Sequence, residues 1–412
     1  MLRLALVLIC TSLVSSEVVR AADWPAFRGP RGDGFSDEKN LPTEWSQDKN
    51  VKWKVALPHP GNSSPVVTGN RVFITIGNED GTQRGLYCYN RADGSLLWSK
   101  VVAFDRVLPT HKTNPYGAPT PATDGKSVVV WHGSAGLFCY DVDGKEIWHR
   151  DLGEFKHEWG YAASPVIPQD RVYQNCAPGA APFFGAFDLA TGRDLWRVPE
   201  PNRERSGYKG SWSTPLVTKL NGVEQILCFQ PSRVVSYAPN DGKIIWEYKL
   251  ESGKGDLAYS SPMLGKGLCV AINGFSGLAT GFKLDGSGDL TGKNKLWDVP
   301  RNPQSIGTGV IIGDHVYIPD AGPSTIRCLE AATGKEVWAE RMGSYWGSIV
   351  MAGDLAYVTS QSGETVVFRP NPEKFDLVAK NNLGEHCNAT PALSDGQIFI
   401  RTYENLYCIG AK

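Results

Sequence analysis

The sequence predicts an all-β fold, an eight-bladed β-propeller of four-stranded antiparallel blades, and three observations lead to it. A motif ending in tryptophan recurs along the chain, a Ser-Pro or Thr-Pro pair reopens most periods, and the apolar runs between them are short and β-branched. The 412 residues include 45 Gly and 27 Pro, enough punctuation to exclude long helices. The 42 basic side chains nearly cancel 43 acidic ones, leaving a formal net charge of −1. A surface built for nucleic acid is therefore not expected.

In chain order, residues 1–22 read as a secretory signal peptide. Arg3 supplies positive charge, Leu4 to Val14 an apolar stretch, and Val19-Arg20-Ala21 a small-residue cleavage pattern. Residues 23–50 form an N-terminal extension and residues 51–412 the propeller. No later apolar run reaches the roughly 20 residues needed to cross a bilayer. The expected product is an exported monomer, periplasmic or secreted, with no transmembrane segment after signal cleavage.

The repeat is clearest at Ala186-Phe187-Asp188-Leu189-Ala190-Thr191-Gly192-Arg193-Asp194-Leu195-Trp196. Trp98, Trp148, Trp196, Trp246, Trp297 and Trp338 end successive copies, spaced by 50, 48, 50, 51 and 41 residues. A period of about 40–50 fits a propeller blade or a helical pair. Runs such as Val72–Ile76, Val128–Trp131 and Val316–Ile318, bounded by Gly and Asp, decide for strands. The Asp-Gly or Thr-Gly before most of the tryptophans supplies the positive φ of a tight hairpin. Each period therefore yields strands A to D, and seven docking tryptophans, Trp53 included, are expected between blades.

Strand A opens at Ser64, Thr120, Ser164, Thr214, Ser261, Thr308, Ser348 and Thr390, which counts eight blades. The eighth stops at Lys412 without a fourth strand, while Val51-Lys52-Trp53-Lys54-Val55 has a D-strand tryptophan and no A, B or C before it. The N-terminal strand is thus expected to complete the last blade and close the ring, removing open sheet edges. Cys88, Cys139, Cys328 and Cys408 share one repeat position with Ala186 and Ser236, so they read as small core residues rather than a disulfide framework.

The spaced Ala186, Asp188, Thr191, Gly192 and Trp196 resemble the tryptophan-docking motif of the PQQ-type, quinoprotein-like eight-bladed propellers. The resemblance runs from about residue 45 to residue 412 and is weakest in blade 7, where Ala379 or a neighbour stands in place of tryptophan. Trp24-Pro25-Ala26-Phe27-Arg28-Gly29-Pro30 also resembles the leader of many secreted bacterial members. The resemblance implies one of two functions. One is a pyrroloquinoline quinone (PQQ) and Ca²⁺-dependent quinoprotein alcohol dehydrogenase. The other is a non-catalytic binding or scaffold propeller of the cell envelope, similar to BamB.

The D–A and B–C loops emerge on one face, where a ligand or partner is expected. Candidate binding residues there are Tyr116, His157, Glu158, Trp159, Tyr161, Tyr208, Lys209, Trp212, Tyr259, Tyr345, Trp346 and His386. Large amphipathic side chains around a funnel suit an envelope protein or a small planar or extended ligand. A tricarboxylate cofactor would need cations, a Ca²⁺ site several oxygens and an alcohol a carboxylate base. Lys209, Glu158, Asn114, Asp256 and Asp320 are available but form no recognisable cluster, and no adjacent cysteine pair is present. The seven His residues lack ligand spacing, and Asp141-Val142-Asp143-Gly144 reads as turn chemistry. The residues therefore favour the non-catalytic reading, with no catalytic or metal residues and no cofactor.

Overall fold

The computed structural model describes residues 23–201, 209–250, 256–275 and 277–410; the signal peptide read in residues 1–22 lies outside them. Strands dominate, and the described residues contain no α-helix, only a 3₁₀ turn at Gly133–Ala135. Eight blades circle an axis, as the repeat predicts. Blade 1 is typical: Val66–Thr68, Arg71–Gly77, Gln83–Asn90 and Leu96–Ala103 run from axis to rim as strands A to D. In blade 3, strand A is reduced to a bridge between Val166 and Tyr173.

The ring closes as the sequence indicates. Val51–Ala56 pairs antiparallel with Asn405–Ile409 and completes blade 8 beside Gln397–Arg401 and Ala392–Ser394. A polar clamp fixes this join. The Glu385 carboxylate accepts hydrogen bonds from Tyr407 Oη at 2.6 Å, Thr402 Oγ1 at 2.5 Å and Asn405 Nδ2 at 2.9 Å, and pairs with Lys54 Nζ at 2.8 Å. Burial alone would raise the Glu385 carboxyl, yet the bonds from Lys54, Thr402, Tyr407 and Asn405 hold it below the ordinary value of 4.5.

Two sets of links join neighbouring blades. At the rim, Trp148 lies over the C–D turn of blade 3, its Nε1 donating to Leu189 O at 2.8 Å. Gly192 in that turn has φ of +70°, and a Cβ there would stand 2.6 Å from the Trp148 ring, so turn and docking both demand glycine. Trp53, Trp98, Trp196, Trp297 and Trp338 donate in the same way to Arg91, Val142, Pro239, Ala331 and Asn371 carbonyls. Trp246 departs from the pattern. It packs edge-on against Phe282 of blade 5 but gives its Nε1 to Gln225 of its own blade.

Blade 7 carries Ala379 opposite Val367, at the position where Cys328 faces Trp338 in blade 6. A buried tryptophan from the extension, Trp45, joins the cluster containing Val367, Leu383 and Ala379, its backbone N–H held by Asn381 Oδ1 at 2.7 Å. The eight described cysteines are buried and free, and Cys88, Cys139, Cys328 and Cys408 each sit directly across from a docking tryptophan.

At the axis, the residues that open each strand A form a girdle. The backbone N–H of one blade donates to the hydroxyl of the next from Ser64 to Thr120, Thr120 to Ser164 and Ser164 to Thr214, at 2.9, 2.9 and 3.1 Å. The series continues from Ser261 to Thr308, Thr308 to Ser348, Ser348 to Thr390 and Thr390 back to Ser64, at 3.0, 3.0, 2.9 and 3.0 Å. Between blades 4 and 5 the link is reversed, Ser261 Oγ donating to Thr214 O at 2.8 Å. The following proline fits because strand A is an inner edge that needs no N–H. In blade 7 Ile349 takes its place, and its N–H bonds Thr308 O at 3.0 Å.

The extension crosses the face of the A–B turns. Trp24 bridges Val67 of blade 1, Phe35–Ser36 runs parallel to strand A of blade 7, and the buried Arg28 donates to Gly309 O of blade 6 at 2.7 Å. Glu38 then accepts the N–H groups of Asp395 and Gly396 in blade 8. It spans the join between the two ends of the chain from below.

Two measurements check these links. Trp148→Ala should lower stability by about 3–5 kcal/mol in urea denaturation, the usual loss for a large buried aromatic. Glu385→Gln should cost about 1.5–3 kcal/mol at pH 7, the range for hydrogen bonds to a charged group. Because the folded carboxyl titrates below its unfolded value, its stabilisation is complete above about 4.5 and fades as pH falls, so the two melting curves should converge in acid.

Candidate functional site

A funnel occupies the axis on the face of the D–A loops. It encloses about 130 Å³ and opens to solvent, with Phe27 of the extension at its inner end. Its deepest ring is the girdle itself: Ser64, Thr120, Ser164, Thr214, Thr308, Ser348 and Thr390 all line it. A strand alternates its side chains, so the residue two positions before each girdle hydroxyl faces the same way one step higher. That second ring comprises Asn62, Ala118, Ala162, Trp212, Ile306, Trp346 and Asn388, with Tyr259 two before Ser261.

The funnel is two-sided. Asn388, Asn62 and Asn114 form a polar wall across blades 8, 1 and 2, while Trp159, Trp212, Tyr259 and Trp346 form an aromatic wall around the rest. The amides are oriented by one another: Gln361 Nε2 donates to Asn388 Oδ1 at 2.9 Å, Asn388 Nδ2 to Asn62 Oδ1 at 3.2 Å, and Asn62 Nδ2 to Asn114 Oδ1 at 3.3 Å. Asn114 Nδ2 then holds Trp159 O at 2.7 Å. On the aromatic side, Trp212 donates to Gly160 O at 3.0 Å and its ring meets Tyr259 at 5.2 Å and His157 at 5.0 Å. His111 lies against Trp159 at 4.4 Å.

Of the residues expected from sequence, Trp159, Trp212, Tyr259 and Trp346 thus line the funnel. Tyr116 and Tyr161 are buried in the wall, where with Phe104 they enclose the Arg84 guanidinium, at 4.9, 5.3 and 4.6 Å. Tyr161 Oη donates to Tyr116 O at 3.0 Å, and Tyr116 Oη to Leu108 O. Tyr345 is fully buried. His157 is partly buried, its Nδ1 accepting the Trp159 backbone N–H at 3.1 Å, and burial holds its ring below the usual imidazole value despite Glu158 nearby. Glu158 is exposed. His386 stands edge-on to Tyr403 at 4.4 Å and is likewise lowered by burial. Tyr208 lies outside the described residues.

The charges near the funnel are already matched. Lys209 Nζ pairs with Asp256 at 2.8 Å, and the fully buried Asp320 takes Arg327 Nε and Ser305 Oγ, each at 2.5 Å. The turn at Asp141 is closed by its own Oδ1, which accepts the N–H of Asp143 and Lys145. None of the described residues lining the funnel is charged, and no group of three or more His, Cys, Asp or Glu among the described residues could hold a metal. Sequence reading passed over Asn62, Asn388, Gln304 and Phe27, although the two-residue offset from the Ser-Pro and Thr-Pro marks points to the first two.

Repeat, closure and axial funnel define the chain as a PQQ-type eight-bladed propeller. It belongs to the family of the outer membrane protein assembly factor BamB, whose profile matches residues 36–113, 83–340 and 322–411. A tetrathionate hydrolase from Acidithiobacillus ferrooxidans is 20% identical over 343 residues, covering 72% of this chain, which spans 62% of that protein. BamB from Moraxella catarrhalis shares the fold with a TM-score of 0.62 at 14% identity, covering 87% of this chain and 96% of its own. Quinohemoprotein alcohol dehydrogenase from Comamonas testosteroni gives 0.69 at 13% identity, over 95% of this chain and 81% of its own.

Wall and funnel roles are separable by experiment. Tyr161→Phe should cost about 0.5–1.5 kcal/mol in thermal unfolding, the worth of one buried hydrogen bond, and leave binding at the funnel unchanged.

Proposed function

We propose that this protein is an exported, non-catalytic propeller that holds a cell-envelope partner or ligand on the D–A loop face, its axial funnel forming the contact. The observation that carries this reading is the funnel's lining of amides, hydroxyls and aromatic rings, without a charged side chain among the described residues. Export rests on the leader in residues 1–22, and no helix among the described residues is long and apolar enough to cross a membrane. Membership of the BamB family supports a scaffold role in the envelope.

The alternative, a quinoprotein alcohol dehydrogenase, draws support from the shared fold of the Comamonas testosteroni enzyme. The lining residues do not fit its cofactor. A buried tricarboxylate needs cationic partners and Ca²⁺ needs several oxygens, preferably carboxylates, whereas Lys209, Asp256, Asp320 and Glu385 are engaged in their own ion pairs. A tetrathionate dianion would meet the same want of cations.

The test is reconstitution. Purified protein mixed with pyrroloquinoline quinone and Ca²⁺ should acquire no bound chromophore and no dye-linked alcohol oxidation. A chromophore that turns over alcohol would overturn the binding reading. Capture of an envelope component by the native chain, lost in Trp346→Ala, would support it.

A further inference from the structure

We propose that the funnel binds the end of an uncharged polyhydroxylated chain, an oligosaccharide, with its terminal ring seated over the hydroxyl girdle and the next rings against the aromatic wall. This rests on the reading above that the funnel is the binding site.

The girdle supplies the first argument. Each of Ser64, Thr120, Ser164, Thr214, Thr308, Ser348 and Thr390 accepts a neighbouring N–H, which occupies one lone pair of its oxygen. None of these seven hydroxyls gives its own proton to an acceptor among the described residues. Ser261 does, to Thr214 O, and Ser261 is the one girdle residue absent from the funnel lining. Seven nearly buried O–H groups, each with a proton and a lone pair unspent, therefore converge on one small space. Such groups are costly to leave unmet.

The chemistry of the lining then selects the occupant. Among the described lining residues an anion would find no cation, and a cation no carboxylate. A purely apolar ligand would strand the hydroxyls and the Gln304 amide, which bonds no other described group through its side chain. A sugar hydroxyl both donates and accepts, as the girdle and the amide wall do, and a sugar ring also presents an apolar C–H face that an indole can cover. The funnel has both requirements on opposite sides: Asn62 and Asn388 on one, Trp212 and Tyr259 on the other, with Trp346 beside Asn388.

Size and shape set the mode. The funnel holds about 130 Å³ before it opens to solvent, a little less than the roughly 150 Å³ cavity that admits a benzene ring, so only the tip of a terminal hexose, with twice benzene's heavy atoms, sits at the girdle and the rest of the chain lies in the open mouth. Phe27, from the extension that crosses the opposite face, lines the same space, so a chain is seated here by its terminus.

Cellohexaose, maltohexaose and chitohexaose, each titrated into the mature protein, give the test, read by tryptophan fluorescence and calorimetry. At least one should bind, and β-cyclodextrin, which has no chain end, should not. Thr308→Val removes one girdle hydroxyl and Trp346→Ala one stacking surface. Each should weaken binding about tenfold, the scale of one lost buried hydrogen bond or ring contact, with Trp346→Ala melting as the parent does. No binding of any hexaose, equal binding of the cyclodextrin, or affinities untouched by both variants would overturn the proposal. If an envelope partner is still captured through Trp346 while no saccharide binds, this inference fails and the broader binding reading stands.

Discussion

Closure of the ring is the constraint on which everything else depends, and at the axis it is made by one small interaction repeated. A backbone N–H at the start of each inner strand reaches the hydroxyl of the next blade, seven times in one sense and once in the other. A neutral hydrogen bond of this kind contributes only about 0.5–1.5 kcal/mol. Its weight comes from geometry: each bond fixes the distance between two wedges, and eight wedges must return to their starting point. Only Ser and Thr carry an acceptor one bond beyond Cβ, short enough to span neighbouring strands without crowding the axis.

The rim repeats this logic with larger groups. Indoles cover the turn of the next blade and their N–H finds a carbonyl there, so burial and direction are satisfied together. Where the repeat fails, the extension intervenes: Trp45 enters the cluster around Ala379, and Phe35–Ser36 adds a strand to the same blade. Residues 23–50 thus belong to the closure as much as the strand at Val51–Ala56 does.

Most of the architecture was legible because it is repeated. Eight copies of a pattern expose blade number, strand order and the displaced terminal strand even when single copies decay, as at Thr308 and Ser348. The site was legible only in part because a funnel is made of differences between copies. Tyr116, Tyr161 and Trp346 look alike as loop aromatics in sequence, yet the first two wrap the buried Arg84, a residue some thirty positions or more away. Trp346 falls two before a girdle hydroxyl and lines the axis. Asn62 and Asn388 hold the same offset, but an asparagine beside a turn carries no signal until the ring places it opposite tryptophans. Trp246 was readable as a dock but not as one that turns its N–H inward, since Gln225 lies two strands away.

The boundary between blades 4 and 5 combines two irregularities, the inverted hydroxyl link and the redirected Trp246. The same boundary carries an added excursion, Gly288–Asp289, which lies alongside the outer strand of blade 4, with Lys249 bonded to Asp289 at 2.8 Å. The joint is not looser for it: Gly210–Ser211 pairs parallel with Leu257–Ala258, and the Trp212 backbone N–H donates to Ala258 O at 2.8 Å. Main chain thus stitches the two wedges directly at the one place where the N–H to hydroxyl link is inverted, so the circle is mended there by a different thread.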